Sequence, residues 1–283
     1  MLSTFRNFAD DMDYTLNCNG RLVDLSSPKV MGILNATPDS FYADSRMLTE
    51  EQTAARTRQI LDEGGTIIDV GACSTRPDSE PASEADEMAR LRQALTVVRR
   101  EAPRAVVSVD TYRPDVARMA VEEFGADIIN DVGCPATGGN MPKAADRQEM
   151  FRMVARLHVA YVYMSCQGNM HDILLDCAEA ADRLRSFGQK DIVADPGFGF
   201  GKTLEENYRV MQQLERMELL GLPVLVGVSR KSMVYRLLGI TADEALNGTT
   251  VLNTVALQKG ASILRVHDVR EAVECTRIIS PLS

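Results

Sequence analysis

AVVSVDTYRPDVARMAVEEFGADIIND, residues 105–131, decides the fold. Its first apolar run, Ala105–Val109, ends at Asp110. Pro114 then suits the first turn of a helix, where no amide proton is needed, and Gly125 suits the helix end. A second apolar run, Asp127–Ile129, leads directly to Asn130 and Asp131. Strand, helix and strand in such close succession imply a right-handed parallel crossover. The unit recurs on both sides. Lys29–Leu34 runs into Asn35, Thr66–Ile68 into Asp69, and Val159–Tyr163 into Met164 and Ser165. Ile192–Ala194 ends at Asp195, Pro223–Val228 at Ser229, and Ser262–Leu264 at Arg265, with His267 two residues on. Eight strands alternating with helical patterns predict an α/β chain folded as a (β/α)8 TIM barrel. Active sites of that fold lie at the C-terminal ends of the strands, where these polar residues fall.

Residues 1–28 precede the first barrel strand. Tyr14–Cys18 and Arg21–Leu25 flank Asn19-Gly20, a pair suited to a type I′ turn, so a β-hairpin is expected to cover the bottom of the barrel. Thr49-Glu50-Glu51-Gln52 and Thr203-Leu204-Glu205-Glu206 both fit the capping box. Gly64-Gly65, Gly221 and Gly260 stop helices before the second, seventh and eighth strands. No low-complexity linker interrupts the series, and 283 residues suit one barrel domain spanning 1–283.

Composition narrows the function classes. With 45% hydrophobic and 25% charged residues the chain reads as an ordinary globular protein. A net charge of −9 argues against a nucleic-acid or anionic-membrane surface. No apolar run reaches membrane-spanning length, and the N-terminal residues carry no signal-peptide core. Six cysteines at 18, 73, 134, 166, 177 and 275 form no Cys-x-x-Cys pair. A reduced cytoplasmic protein is expected, without a disulfide framework or zinc site.

Asp195-Pro196-Gly197-Phe198-Gly199-Phe200-Gly201-Lys202-Thr203 is the densest motif. Gly201-Lys202-Thr203 matches the end of a nucleotide phosphate loop, but Pro196 stands where its first glycine belongs and lacks the amide that would cradle phosphate. The glycines fit backbone that approaches a flat ligand, with Asp195 aimed into the barrel mouth; a plain Gly-rich turn with a capping Asp is the alternative. Lys231 follows the seventh strand. A Schiff-base lysine requires desolvation, whereas Arg230, Ser229 and Ser232 suggest a polar loop and a lysine that hydrogen-bonds a ligand. Arg76 is either an anion fork or a solvated loop arginine. His158 sits at a strand entrance and reads as structural, His171 is undecided, and Arg265-x-His267 places a cation pair where barrels bind phosphate. Asn35, Arg76, Arg265 and His267 outline an anion site; Asp110, Asn130 and Asp195 outline an acceptor-rich pocket for a planar ligand with several N–H donors.

Seven motifs in order carry a resemblance: Met31–Phe41, Ser74-Thr75-Arg76-Pro77, Ser108–Thr111, Ile129–Val132, Asp195–Gly201, Ser229–Ser232 and Arg265–Asp268. Together they resemble the dihydropteroate synthase family over about residues 29–275. The resemblance implies condensation of 6-hydroxymethyl-7,8-dihydropterin diphosphate with 4-aminobenzoate, by C–O cleavage and then amine attack. It implies a pterin site of Asp110, Asn130, Met164, Asp195, Lys231 and Arg265. Asn35, Arg76, Arg265 and His267 would hold the diphosphate, with Asn35 also meeting Mg²⁺. Phe41, Thr75, Pro77, Phe200, Lys231 and Ser232 would line the aminobenzoate side. Asn35, Asp110, Asp195, Lys231, Arg265 and His267 would carry catalysis. A homodimer, small-molecule substrates, sulfonamide mimicry of aminobenzoate, and neither nucleic acid nor membrane complete the expectation. The chain departs from the family at Gly71-Ala72-Cys73, at Asp78, at Tyr42-Ala43-Asp44 and at Tyr163-Met164-Ser165. A pterin-dependent methyltransferase domain and a non-catalytic pterin-binding protein are the rival readings. The first would not need Ser-Thr-Arg-Pro, and the second would lose Asn35, Arg265 or His267.

Overall fold

The computed structural model describes residues 14–36, 50–72, 82–134 and 147–282. Two short strands, β1 (Thr15–Cys18) and β2 (Arg21–Asp24), pair antiparallel. Eight parallel strands follow: β3 (Lys29–Asn35), β4 (Ile67–Gly71), β5 (Val106–Asp110), β6 (Ile128–Asp131), β7 (Ala160–Met164), β8 (Ile192–Asp195), β9 (Leu225–Val226) and β10 (Ile263–Val266). Each pairs with its neighbour in chain order, β10 returns to β3, and a parallel bridge from Ala194 to Val224 closes the ring. The helices between them are α1 (Glu50–Asp62), α2 (Glu84–Glu101), α3 (Pro114–Phe124), α4 (Arg147–Leu157), α5 (Met170–Ser186), α6 (Leu204–Gln212), α7 (Ser232–Leu238), α8 (Leu246–Gln258) and α9 (Val269–Ile279). The expected barrel is present.

The expected punctuation is present too. Pro114 opens α3, and Gly125 ends it in the left-handed conformation at φ 62°, where a side chain would be strained. Thr203 and Glu206 form the reciprocal capping box at the start of α6. The other expected box begins at Thr49, outside the described residues. His158 lies exposed before β7, and His171 lies exposed on the first turn of α5. His158 thus lies at the end opposite the mouth.

The side-chain period of two divides the barrel interior into layers. Met31, Ile67, Val106, Ile128, Val162, Val193, Leu225 and Ile263 fill the lower interior. Leu16, Cys18 and Leu25 of the hairpin segment join the same cluster, so the hairpin plugs the bottom as expected. Its turn is pinned there, with Asn19 Nδ2 donating to Gly125 O at 2.8 Å and to Asp127 Oδ1 at 3.1 Å. Stepping two residues from Ile67 gives Asp69, two steps from Val106 give Asp110, and one step each from Ile128, Val193 and Ile263 gives Asn130, Asp195 and Arg265. The same parity that buries an apolar floor therefore raises a polar layer above it.

Candidate active site at the strand ends

Arg265 on β10 organises this layer. Its Nε donates to Asp69 Oδ2 and its Nη2 to Asp110 Oδ2, each at 2.7 Å. Asn130 Nδ2 donates to the same Asp69 oxygen at 3.3 Å. Two carboxylates on one guanidinium leave a net negative charge in a desolvated place. Burial first, then the charge of Asp69 acting against that of Arg265, pushes the Asp110 pKa up to about 7. Asp69 Oδ1, Ser108 Oγ and Asn130 Oδ1 are buried with no hydrogen-bond partner among the described residues. Buried acceptors of this kind call for donors from a ligand.

Asp195 ends β8, and its Oδ1 accepts from the Gly197 amide at 2.7 Å. Burial raises its pKa, opposed by the charge of Lys231. Gly197 holds φ 70° and passes so close to the β7 loop that an added Cβ would lie 2.1 Å from Ser165 O. The approach expected of this glycine is thus to protein backbone. Lys202 closes the same turn, its Nζ donating to Gly197 O at 2.9 Å and Ser165 O at 3.3 Å. It clamps two loops together, which disposes of the phosphate-loop reading by giving its lysine an internal role.

Lys231 corrects one expectation. Desolvation pushes its pKa down to about 8 despite its polar neighbours in sequence, although the residue is half-buried rather than fully enclosed. Its Nζ nevertheless donates to Phe198 O at 2.6 Å and lies 4.5 Å from the Phe200 ring centre, which suits a hydrogen-bonding cation. Arg230 turns away, gripping both oxygens of Asp268 at 2.8 Å.

His267 corrects a second. Partial desolvation at the mouth, reinforced by the charge of Arg265, pushes its pKa down to about 4, which favours the neutral imidazole over the expected cation pair. Ser229 Oγ accepts from the His267 backbone amide at 3.1 Å and sits 3.0 Å from Nδ1. We assign the proton to Nε2, leaving a neutral donor at the rim. Asn35 is exposed at the end of β3.

Met164 is buried at the end of β7, clustered with Val132 and Cys134, and Cys166 and Phe200 pack against the cluster. This is an apolar wall beside the polar layer. Ser232 starts α7, half-buried. Phe41, Thr75, Arg76 and Pro77, with the departures at Tyr42-Ala43-Asp44, Cys73 and Asp78, lie outside the described residues. Contrary to the expectation of reduced thiols, Cys134 and Cys166 are joined as a disulfide, because the loops after neighbouring strands bring them together.

Three participants escaped the reading of motifs. Asp69 was visible as a strand end, and its shared parity with Ile67 was the unused signal. Arg56 of α1 donates to Ile33 O at 3.1 Å and His267 O at 2.6 Å, tying β3 to the rim. Glu87 accepts from Thr111 Oγ1 at 2.7 Å and pairs with Arg113, both next to β5. A helix residue aimed at a loop leaves no local pattern to read.

The profile of a family described as "pterin binding enzyme" matches residues 31–267. The dihydropteroate synthase of Clostridium beijerinckii is 37% identical over 262 residues, covering 88% of this chain and 93% of that one. The chain belongs to the dihydropteroate synthase family. Among solved structures, Yersinia pestis dihydropteroate synthase in a sulfonamide drug complex aligns with TM-score 0.81 at 34% identity, covering 95% of this chain and 99% of that one. The Xanthomonas albilineans dihydropteroate synthase with 4-aminobenzoic acid aligns with TM-score 0.80 at 33% identity, covering 95% and 98%. The protein is accordingly a transferase of folate biosynthesis. Among the described residues no helix is long and apolar enough to cross a membrane.

Proposed function

We propose that the polar layer receives the dihydropterin ring and that the rim holds its diphosphate. The observation that carries this is the trio of Asp195, Asn130 Oδ1 and Asp69 Oδ1, buried acceptors in the polar layer above an apolar floor. The 2-amino and N3 hydrogens of the ring satisfy Asp195, while Asp110 and Asn130 meet its other edge. Lys231 donates to the ring, and Met164 lies against it. Arg265, fixed between two carboxylates, presents a flat cation to both the ring and the diphosphate. His267 donates from Nε2 to the leaving anion, joined by Arg76.

The C–O bond breaks with its electrons passing to diphosphate, leaving a methylene cation delocalised into the electron-rich ring. The aminobenzoate nitrogen then bonds to that carbon and releases a proton to solvent or diphosphate. Arg265 and His267 stabilise the departing charge, so leaving-group binding and exclusion of water matter more than a strong base. Thr75, Pro77, Phe41, Phe200, Lys231 and Ser232 form the aminobenzoate side, where a sulfonamide would also bind. Asn35 offers a hard neutral oxygen at the mouth, which would suit Mg²⁺ carried by the diphosphate. When bound, that ion would neutralise charge on the leaving group.

We infer further a single cytoplasmic domain that pairs as a homodimer, a reading supported by exposed Leu237, Leu238, Val251 and Ile278 on α7, α8 and α9. Calorimetry of Asp195→Asn tests the site. An amide presents a donor where an acceptor is required, so pterin affinity should fall by roughly 2–5 kcal/mol. Unchanged affinity in a folded variant would remove Asp195 from the site.

A further inference from the structure

We propose that Cys134 and Cys166 are a thiol–disulfide exchange site set into the wall of the pterin pocket, and that small disulfides and dithiols tune pterin affinity through it. The inference rests on the assignment of Asn130 and Met164 to that pocket. Cys134 lies three residues beyond the end of β6 and Cys166 two beyond the end of β7. Those strands are paired neighbours, and the two Cα atoms are 5.8 Å apart, inside the span a disulfide bridges. The bond joins the strand extension that carries Asn130 to the one that carries Met164. Both sulfurs belong to the apolar wall with Val132, Met164 and Phe200.

The two cysteines differ in access. Cys134 is buried, whereas Cys166 is half-buried and also lines a separate cavity of about 270 Å³ between α4 and α5. That cavity lies on the outer side of β7, so a reagent can reach Cys166 without entering the mouth. Arg147 and Arg183 share it with Asp176 and Glu179. Arg147 donates to Gly133 O at 2.6 Å and Met164 O at 3.4 Å, holding the backbone of both loops beside the sulfurs.

The reduced pair reacts in two displacements. The Cys166 thiolate attacks one sulfur of a small disulfide such as oxidised glutathione, forming a mixed disulfide and expelling one thiolate. The Cys134 thiolate then attacks Cys166 Sγ, forming the Cys134–Cys166 bond and expelling the second. The cysteines lose two electrons, the small disulfide gains them, and the two thiol protons end on the products. A dithiol reverses both steps. In the joined state the wall beside the ring is fixed covalently; in the reduced state packing and the hydrogen bonds of Arg147 and Lys202 to the loop backbone hold it. Pterin affinity should therefore be about 3- to 10-fold higher when the pair is oxidised.

The full chain is equilibrated in oxidised or reduced glutathione, alkylated under denaturing conditions and mapped by mass spectrometry. Matched samples are titrated with 6-hydroxymethylpterin by calorimetry. Four alkylated cysteines rather than six in the oxidised sample, with Cys134 and Cys166 protected, are expected. So is the 3- to 10-fold affinity difference, absent from a Cys134→Ser/Cys166→Ser variant that stays at the reduced value. Six alkylated cysteines in both buffers would overturn the proposal, as would equal affinity in wild-type samples that differ in the pair; the wild-type comparison decides even if the variant does not fold. Equal binding leaves the pterin site standing, whereas no binding in either buffer removes the site and this inference together.

Discussion

Asp69→Asn isolates what organises the site. The variant keeps the shape of a wholly buried side chain and one acceptor for Arg265, but removes a charge. A hydrogen bond to a charged group contributes about 1.5–3 kcal/mol, against about 1 kcal/mol between neutral partners, so roughly 1–2 kcal/mol of Arg265 positioning is lost. That corresponds to a decrease of about 5- to 30-fold in kcat/KM for the pterin substrate, with the fold intact. The variant carries a second signature. Asp69 raises the Asp110 pKa, so its neutralisation lowers that pKa from about 7. If the charged form of Asp110 holds Arg265, activity falls on the acid side, and this acid limb should move to lower pH in the variant. Steady-state kinetics between pH 5 and 9, with circular dichroism to check the fold, reads both effects. A kcat/KM within twofold of the parent together with an unmoved acid limb would refute the role given to Asp69.

Lys231 sets the opposite limb. Its pKa is lowered to about 8, so its cation is present below that pH and lost above it, and calorimetric pterin affinity should decline as pH passes 8; a flat profile from 7 to 9.5 would count against it. Lys202→Met removes the ammonium that bridges the Gly197 and Ser165 carbonyls, leaving the first only its Phe200 amide, and urea unfolding should show a loss of about 1–3 kcal/mol. His267, held near 4, should show a neutral imidazole by NMR at pH 5.5, where an ordinary histidine is mostly charged. Aminobenzoate should bind measurably only when pterin and diphosphate are present, and equal affinity for the ligand-free protein would contradict ordered binding.

The barrel was legible because its signals are local and repeated: apolar runs, the Pro114 and Gly125 boundaries of α3, the Thr203 capping box and the Asn19-Gly20 turn all recur in the structure. Asp110, Asn130, Asp195 and Arg265 were legible for a related reason, since a strand end in a barrel has one destination. The properties that depend on three-dimensional surroundings were not. Lys231 looks solvated from its sequence neighbours, yet is desolvated by the loop of Phe198 and Phe200. His267 reads as a cation beside Arg265, yet desolvation first and that same proximity second lower its pKa. Cys134 and Cys166 are 32 residues apart and carry no spacing motif, so their pairing is a consequence of neighbouring strands.

The most direct test is to mix the purified chain with 6-hydroxymethyl-7,8-dihydropterin diphosphate, Mg²⁺ and 4-aminobenzoate and to analyse the products chromatographically. The account predicts 7,8-dihydropteroate and diphosphate in equal amounts, with formation reduced sharply by Asp195→Asn. Pterin binding without any dihydropteroate would contradict it.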